Sequence, residues 1–197
     1  MIAADELEAL VDVLRGGGVV ACATETQMGL LADALSEAAV AKVCLLKNRP
    51  DGVPLAVLIP SPRSVSAVAR EFPEAASSLA DRYWPGPLTV LVRVRAGLPA
   101  ALSKDGKIGV RIPGPSPARE LVRAFGSPLT ATSANLSGQA VARDGEHARV
   151  VFGAELDAAV AGTAPGGLPS TVVDTTVHPP QLVRRGAVRI DGGGSDR

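Results

Sequence analysis

Short aliphatic runs recur along the chain and alternate with segments of helical period. VVACA (19–23), LAVLI (55–59), LTVLVRV (88–94) and KIGVRI (107–112) are too short for buried helices, and several are apolar on both sides. Between them, Leu7, Leu10, Val11 and Leu14 repeat at i, i+3, i+4 and i+7, the signature of one helix face, and Gly16-Gly17-Gly18 ends it. Ser36 is placed to cap a second helix with Val40, Val43 and Cys44 inward. Further helices are predicted around Ser64–Arg70, over Pro73–Tyr83, from Ser116-Pro117 to about Phe125, and over Asp144–Phe152. Strands buried on both faces need helices on both faces. The expectation is one α/β domain over residues 1–190: a twisted mixed sheet flanked by helices. STVVDTT, QLVRR and AVRI supply the last strands, and the tail DGGGSDR (191–197) is expected to be disordered.

Composition removes several classes of function. Twenty basic and twenty acidic side chains give no net charge, which argues against bulk capture of nucleic acid. Aromatic residues are 3% of the chain, too few for a base-stacking platform. Two histidines give little support to a histidine metal site or relay, and Cys22 and Cys44 sit in apolar segments as reduced core thiols. The acidic, amphipathic start MIAADELEALVDVL is unlike a secretory leader, and no run of about 18 apolar residues occurs. A cytoplasmic protein without a membrane span is expected.

The polar groups cluster at the ends of apolar elements. Thr24-Glu25-Thr26 follows VVACA; Lys47-Asn48-Arg49 ends the second helix; Thr132-Ser133-Ala134-Asn135 follows a short strand; Ser170-Thr171 opens another; Arg111 and Arg184 each end a strand. In open α/β sheets ligands bind outside strand ends, where loops converge. Hydroxyls, an amide and up to four cations suit a polyanion such as a nucleotide, with a small polar substrate. Each cluster also has a structural alternative. The Thr-Glu-Thr and Ser-Ala-Asn stretches can be turns closed by their own side chains, Lys-Asn-Arg can complement a helix dipole, and STVVD can be a strand edge. No phosphate-loop, dinucleotide or nucleophile-elbow motif is present.

Taken in order, these pieces resemble the YrdC-like family, the threonylcarbamoyl-AMP synthases. The carriers are GGVVACATETQMGLLADA, Lys47-Asn48-Arg49, YWPGPLTV, Arg111-Ile112-Pro113, Ser133-Ala134-Asn135, STVVD and VRRGAV, spanning about Val19–Val188. The resemblance implies the YrdC-like fold with a concave, positively lined pocket. It implies a nucleotidyltransferase that joins L-threonine, bicarbonate and ATP into threonylcarbamoyl-AMP and pyrophosphate. ATP with Mg2+ would be the cosubstrate, and the protein would provide no metal ligand of its own. The product would serve the t6A modification of tRNA position 37, with t6A-complex transferase proteins as possible partners and weak tRNA or double-stranded RNA binding as a further one. By analogy, Lys47, Arg49, Ser133 and Asn135 would be catalytic. Thr24, Thr26, Arg111 and Ser170 would bind substrate, and Arg49, Ser133 and Arg184 would bind the nucleotide. The sequence departs from the family pattern at Ala23, Met28, Val53, Leu58, Lys107 and Ala131, several of them on the amino-acid side of the pocket. The alternatives are a paralogue of this fold with another acyl or carbamoyl substrate, or a double-stranded-RNA-binding module.

Overall fold

The computed structural model describes residues 1–190; the tail expectation for 191–197 lies outside the described residues. In chain order the elements are α1 (Ala4–Arg15), β1 (Val20–Ala23), β2 (Met28–Leu31), α2 (Glu37–Leu46), β3 (Ala56–Leu58), a 3-10 segment (Pro62–Ala67) and α3 (Glu74–Tyr83). They continue with β4 (Leu88–Arg93), β5 (Ser103–Lys104), β6 (Lys107–Arg111), α4 (Pro117–Phe125), β7 (Leu129–Ser133), α5 (Gly145–Phe152), β8 (Ala158–Ala159), β9 (Thr171–Asp174) and β10 (Gln181–Arg184). Cap chemistry sets several helix starts: the Ser36, Ser116 and Asp144 side chains accept from the backbone N–H three residues on. Pro117 occupies the first turn of α4, and Gly126 closes it in the left-handed region at φ 76°.

The strands form one mixed sheet in the order β10-β9-β4-β6-β3-β7-β2-β1-β8, with β5 beside β6. The β3–β6, β4–β9 and β1–β8 pairs are parallel and the others antiparallel. Side-chain parity then divides the two faces. Val57, Leu88, Val90, Val92, Ile108, Val110 and Leu30 point into one core, closed by Ala39, Val40 and Val43 of α2, Ala76 of α3 and Phe152 of α5. Each fully buried Val, Leu or Ile there contributes about 1.5–3 kcal/mol. The opposite face is covered only in part. Leu10, Val11 and Leu14 of α1 and Ala118, Leu121 and Val122 of α4 pack on Val20, Cys22, Leu31, Leu58 and Leu129. Burial there pushes the Cys22 thiol up to about 12, with help from Glu120 and Glu6, so it is the inert core thiol expected.

Two strand expectations need correction. MGLL, not read as a strand, is β2: Thr24–Gln27 form a turn and β2 returns antiparallel to β1, Ala23 opposite Met28. Gly29 and the polar turn obscured so short a buried strand. AVRI, read as a strand, is not one. Ala187 N–H donates to Pro169 O, and Val188 trades hydrogen bonds with the Thr171 hydroxyl. The close approach is permitted by Gly186, where a Cβ would stand 2.3 Å from Pro169 O and 2.5 Å from Ser170 C. The Ser64–Arg70 helix is the 3-10 segment Pro62–Ala67.

Because the atoms that a Cβ at Gly186 would strike are all backbone, Gly186→Ala should lower the unfolding free energy by about 1–3 kcal/mol in urea titration. Gly16→Ala, which meets only ordinary contacts, should change it by less than about 1 kcal/mol.

Candidate active site

The uncovered part of the second sheet face is a cleft with a cavity volume of 490 Å³. Its floor carries small or short side chains from adjacent strands: Gly29, Ala56, Thr89, Gly109 and Ala131. A Cβ at Gly109 would sit 3.1 Å from Thr89 Cγ2 and 3.2 Å from Ala56 Cβ, so glycine keeps the floor low. Of the nine residues singled out in the sequence, Thr24, Thr26, Arg49, Arg111, Ser133, Ser170 and Arg184 line the cleft. Lys47 and Asn135 do not; both are buried behind Ser133.

The Thr24–Gln27 turn forms one wall, and the Thr24 hydroxyl closes it. Thr24 Oγ1 donates to Gln27 O at 2.8 Å and accepts from the N–H groups of Thr26 and Gln27. Thr26 Oγ1 lies 3.0 Å from it, a pair in which either hydroxyl can donate. Thr24 is thus engaged in the turn, and Thr26 lines the cleft beside it. Gln27 Nε2 donates to Gly167 O and ties the turn to the 162–170 loop, which brings Pro169 and Ser170 into the wall.

A second wall is the Ser133–Asn135 stretch, set from behind. Helix α2 ends with Asn48 in the left-handed region at φ 47°, which sends Lys47 inward and Arg49 to the cleft. Lys47 Nζ donates to Ser133 O, to Asn135 O at 2.8 Å and to Asn135 Oδ1 at 3.1 Å. Asn135 Nδ2 donates to Leu136 O and Gln139 O, so its Oδ1 can only accept. Ser133 Oγ therefore donates to that Oδ1 at 2.6 Å and also presents lone pairs to the cleft. The Ser-Ala-Asn turn closed by its own side chains is also the wall of the cleft.

Among the described residues three guanidiniums join these hydroxyls in the lining, and no carboxylate lines the cleft. Arg49 donates to Val53 O, Pro54 O and Thr132 Oγ1. Arg184 donates to Ser170 O from Nε and Nη2, and Ser170 Oγ lies 3.0 Å from Thr89 Oγ1. Burial lowers the pKa of Arg49, Arg111 and Arg184 alike, the mark of cations held in a poorly solvated wall. Cations and hydroxyls in one lining suit a ligand with anionic groups at one end and N–H or O–H donors at the other. Thr132 belongs to a polar cluster read from the sequence, whereas Thr89, Gly109 and Gln27 were missed, although Thr89 and Gly109 interrupt otherwise aliphatic strands.

Of the six departures from the family pattern, Met28 and Ala131 border the cleft. Met28 is fully buried and packs into the core. Leu58 belongs to the α1/α4 core, Lys107 pairs with Asp174 at 2.6 Å, and Val53 contributes its carbonyl rather than its exposed side chain.

The family model Sua5/YciO/YrdC, described as telomere recombination, matches residues 12–186. The Pyrococcus abyssi protein named threonylcarbamoyl-AMP synthase is 35% identical over 180 residues, 90% of this chain and 53% of that one. The structure of P. abyssi Sua5 complexed with L-threonine superimposes with TM-score 0.89 at 34% identity, covering 94% of this chain and 55% of the other. Escherichia coli YciO superimposes with TM-score 0.83 at 25% identity, covering 94% and 91%. The chain thus spans about half the length of the Pyrococcus relative.

Burial, and then Arg49, lower the Lys47 pKa from 10.5 to about 8. Its folded value lies below the unfolded one, so the cost of burying the ammonium is full below pH 8 and is relieved between about 8 and 10.5. Rising pH therefore removes no stability through this group, but it removes one of three donors to the Ser133–Asn135 wall. The Asn135 side-chain amide resonances should titrate with a midpoint near pH 8 in the wild type and stay flat in Lys47→Met. A flat wild-type profile to about pH 9.5 contradicts the assignment.

Proposed function

The chain belongs to the Sua5/YciO/YrdC family, and on that premise we propose that it makes threonylcarbamoyl-AMP and pyrophosphate from L-threonine, bicarbonate and ATP. The observation that carries the reading is a cleft that, among the described residues, has three guanidiniums, no carboxylate, and the hydroxyls of Thr26 and Ser133. The amine of threonine first adds to the carbon of bicarbonate, and water leaves, giving an N-carboxylate. An oxygen of that carboxylate then attacks the α-phosphorus of ATP; the bond to the bridging oxygen breaks and pyrophosphate departs with the electron pair. The reaction needs charge neutralisation and alignment rather than a covalent nucleophile. That fits a site without a suitably placed histidine or cysteine.

In this scheme Arg49 and Arg184 hold phosphate oxygens, and the charge of pyrophosphate as it leaves. Thr26, Arg111 and Ser170 hold the amino acid, Arg111 taking its carboxylate. Ser133 accepts from an N–H or O–H of the adenylate portion. Lys47 and Asn135 act at one remove by shaping the Ser133 wall. Thr24 sets the turn that carries Thr26. Mg2+ would enter on the triphosphate, where it supplies further charge neutralisation. Among the described residues no acid lines the cleft, and no group of three His, Cys, Asp or Glu side chains could hold a metal.

Among the described residues no helix is long and apolar enough to cross a membrane. A cytoplasmic role supplying the adenylate to a transferase of t6A modification at tRNA position 37 follows from the proposed product. Weak RNA contact is compatible with that role, while the zero net charge gives no support to RNA binding as the main activity.

Purified protein with ATP, Mg2+ and bicarbonate should release pyrophosphate when L-threonine is present and not when it is omitted or replaced by valine or alanine. Equal release without threonine contradicts the reading, and release with a different amino acid alone identifies a paralogue of changed substrate. Ser133→Ala should lower kcat/KM about a hundredfold with the far-UV circular dichroism unchanged.

A further inference from the structure

Glu25, the middle residue of Thr24-Glu25-Thr26, does not line the cleft, yet one wall of the cleft rests on it. Its Oε1 lies 3.3 Å from Arg111 Nη1, and the two side chains are 13% and 7% exposed. Neither carboxylate oxygen accepts a hydrogen bond among the described residues. A buried carboxylate in that state is costly unless it answers a charge. The charge is Arg111, whose pKa is lowered by burial, raised again by Glu25 and lowered further by the facing Arg184. Room for the carboxylate comes from Gly114, where a Cβ would stand 3.1 Å from Glu25 Cγ and 3.5 Å from Cδ. Arg119 of α4, donating to Pro113 O at 2.7 Å, is a second cation within reach of Glu25. The turn after β1, the loop after β6 and the start of α4 therefore meet on one carboxylate.

The three guanidiniums of the cleft are held in two ways. Arg49 and Arg184 donate to backbone carbonyls. Arg111 makes no side-chain hydrogen bond to another described residue, and its contact is the charge of Glu25. Its N–H groups thus remain available to a ligand. The geometry points to Glu25 as the positioning residue of the site: it fixes the Arg111 guanidinium against repulsion from Arg184, so that Arg111 meets the substrate carboxylate already aimed. This role deepens the proposed reaction and rests on it for the identity of that carboxylate.

The test uses the full chain, 15N-labelled, with the Arg111 Nε–H resonance assigned by its absence in Arg111→Met. The wild type should show it sharp and dispersed. In Glu25→Gln, and in Gly114→Val, which displaces the carboxylate with both charges retained, it should collapse into the averaged arginine envelope. The fold is checked by circular dichroism and urea midpoint, and either variant that folds decides the question; an unchanged resonance overturns the proposal. In the pyrophosphate assay, Glu25→Gln should raise KM for the amino acid about tenfold and leave KM for ATP within about threefold. Adding Arg111→Met to Glu25→Gln should bring no more loss than Arg111→Met alone. Additive losses overturn the proposal. So does a fall in KM, the sign expected if loss of a negative charge beside a cationic cleft acted only through space. A wild type that releases no pyrophosphate sinks the proposed reaction, and the resonance still decides the role of Glu25.

Discussion

Along β2, β3, β4 and β6, side chains of one parity are large and aliphatic, and several of the other are small or polar. Leu30, Val57, Val90 and Val110 stand on one face; Gly29, Ala56, Thr89 and Gly109 stand on the other. The first face demands a cover of helices, because each exposed Val or Leu would forgo about 1.5–3 kcal/mol. On the second face Leu31, Leu58 and Leu129 meet α1 and α4, while Gly29, Ala56, Thr89, Gly109 and Ala131 leave a hollow bordered by Leu31 and Leu91. The cleft exists because the side chains of its floor are too small to fill that hollow. Its polar walls follow, since each strand that ends at its rim delivers its last polar residue or its connecting turn to the same space.

Holding three cations around one cleft carries a Coulombic penalty, and the fold meets it locally. Val53, Pro54 and Ser170 turn carbonyls to Arg49 and Arg184, and Glu25 turns a full charge to Arg111. Lys47 answers a different need. Its ammonium collects the carbonyls of Ser133 and Asn135 and the Asn135 side chain, fixing a loop that no regular element would hold. One cation of the Lys-Asn-Arg stretch builds the wall and the other faces the ligand. The two-residue spacing across an Asn in the left-handed region produces that division.

The order of apolar runs revealed the layer architecture, and the polar ends of those runs revealed most of the cleft. Thr89 and Gly109 stayed hidden because a single small residue inside LTVLVRV or KIGVRI reads as tolerance of the strand rather than as a floor. The direction of Lys47 was not legible either. A lysine at a helix end points outward by default, and only the acceptors brought from residues 133 and 135, far along the chain, reverse it. Glu25 was hidden for a similar reason, since its partner Arg111 and its cradle Gly114 arrive from another strand and the loop beyond it. Met28 shows the converse: a conspicuous departure in sequence is a fully buried core residue under the cleft.

The proposed reaction joins an N-carboxylated amino acid to the α-phosphate of ATP in this cleft. It is tested by mass spectrometry of the quenched mixture of protein, 13C-bicarbonate, L-threonine, ATP and Mg2+. An AMP conjugate that contains threonine and one 13C should form in step with pyrophosphate. A conjugate lacking the label, or ADP and phosphate in place of AMP products, would contradict it.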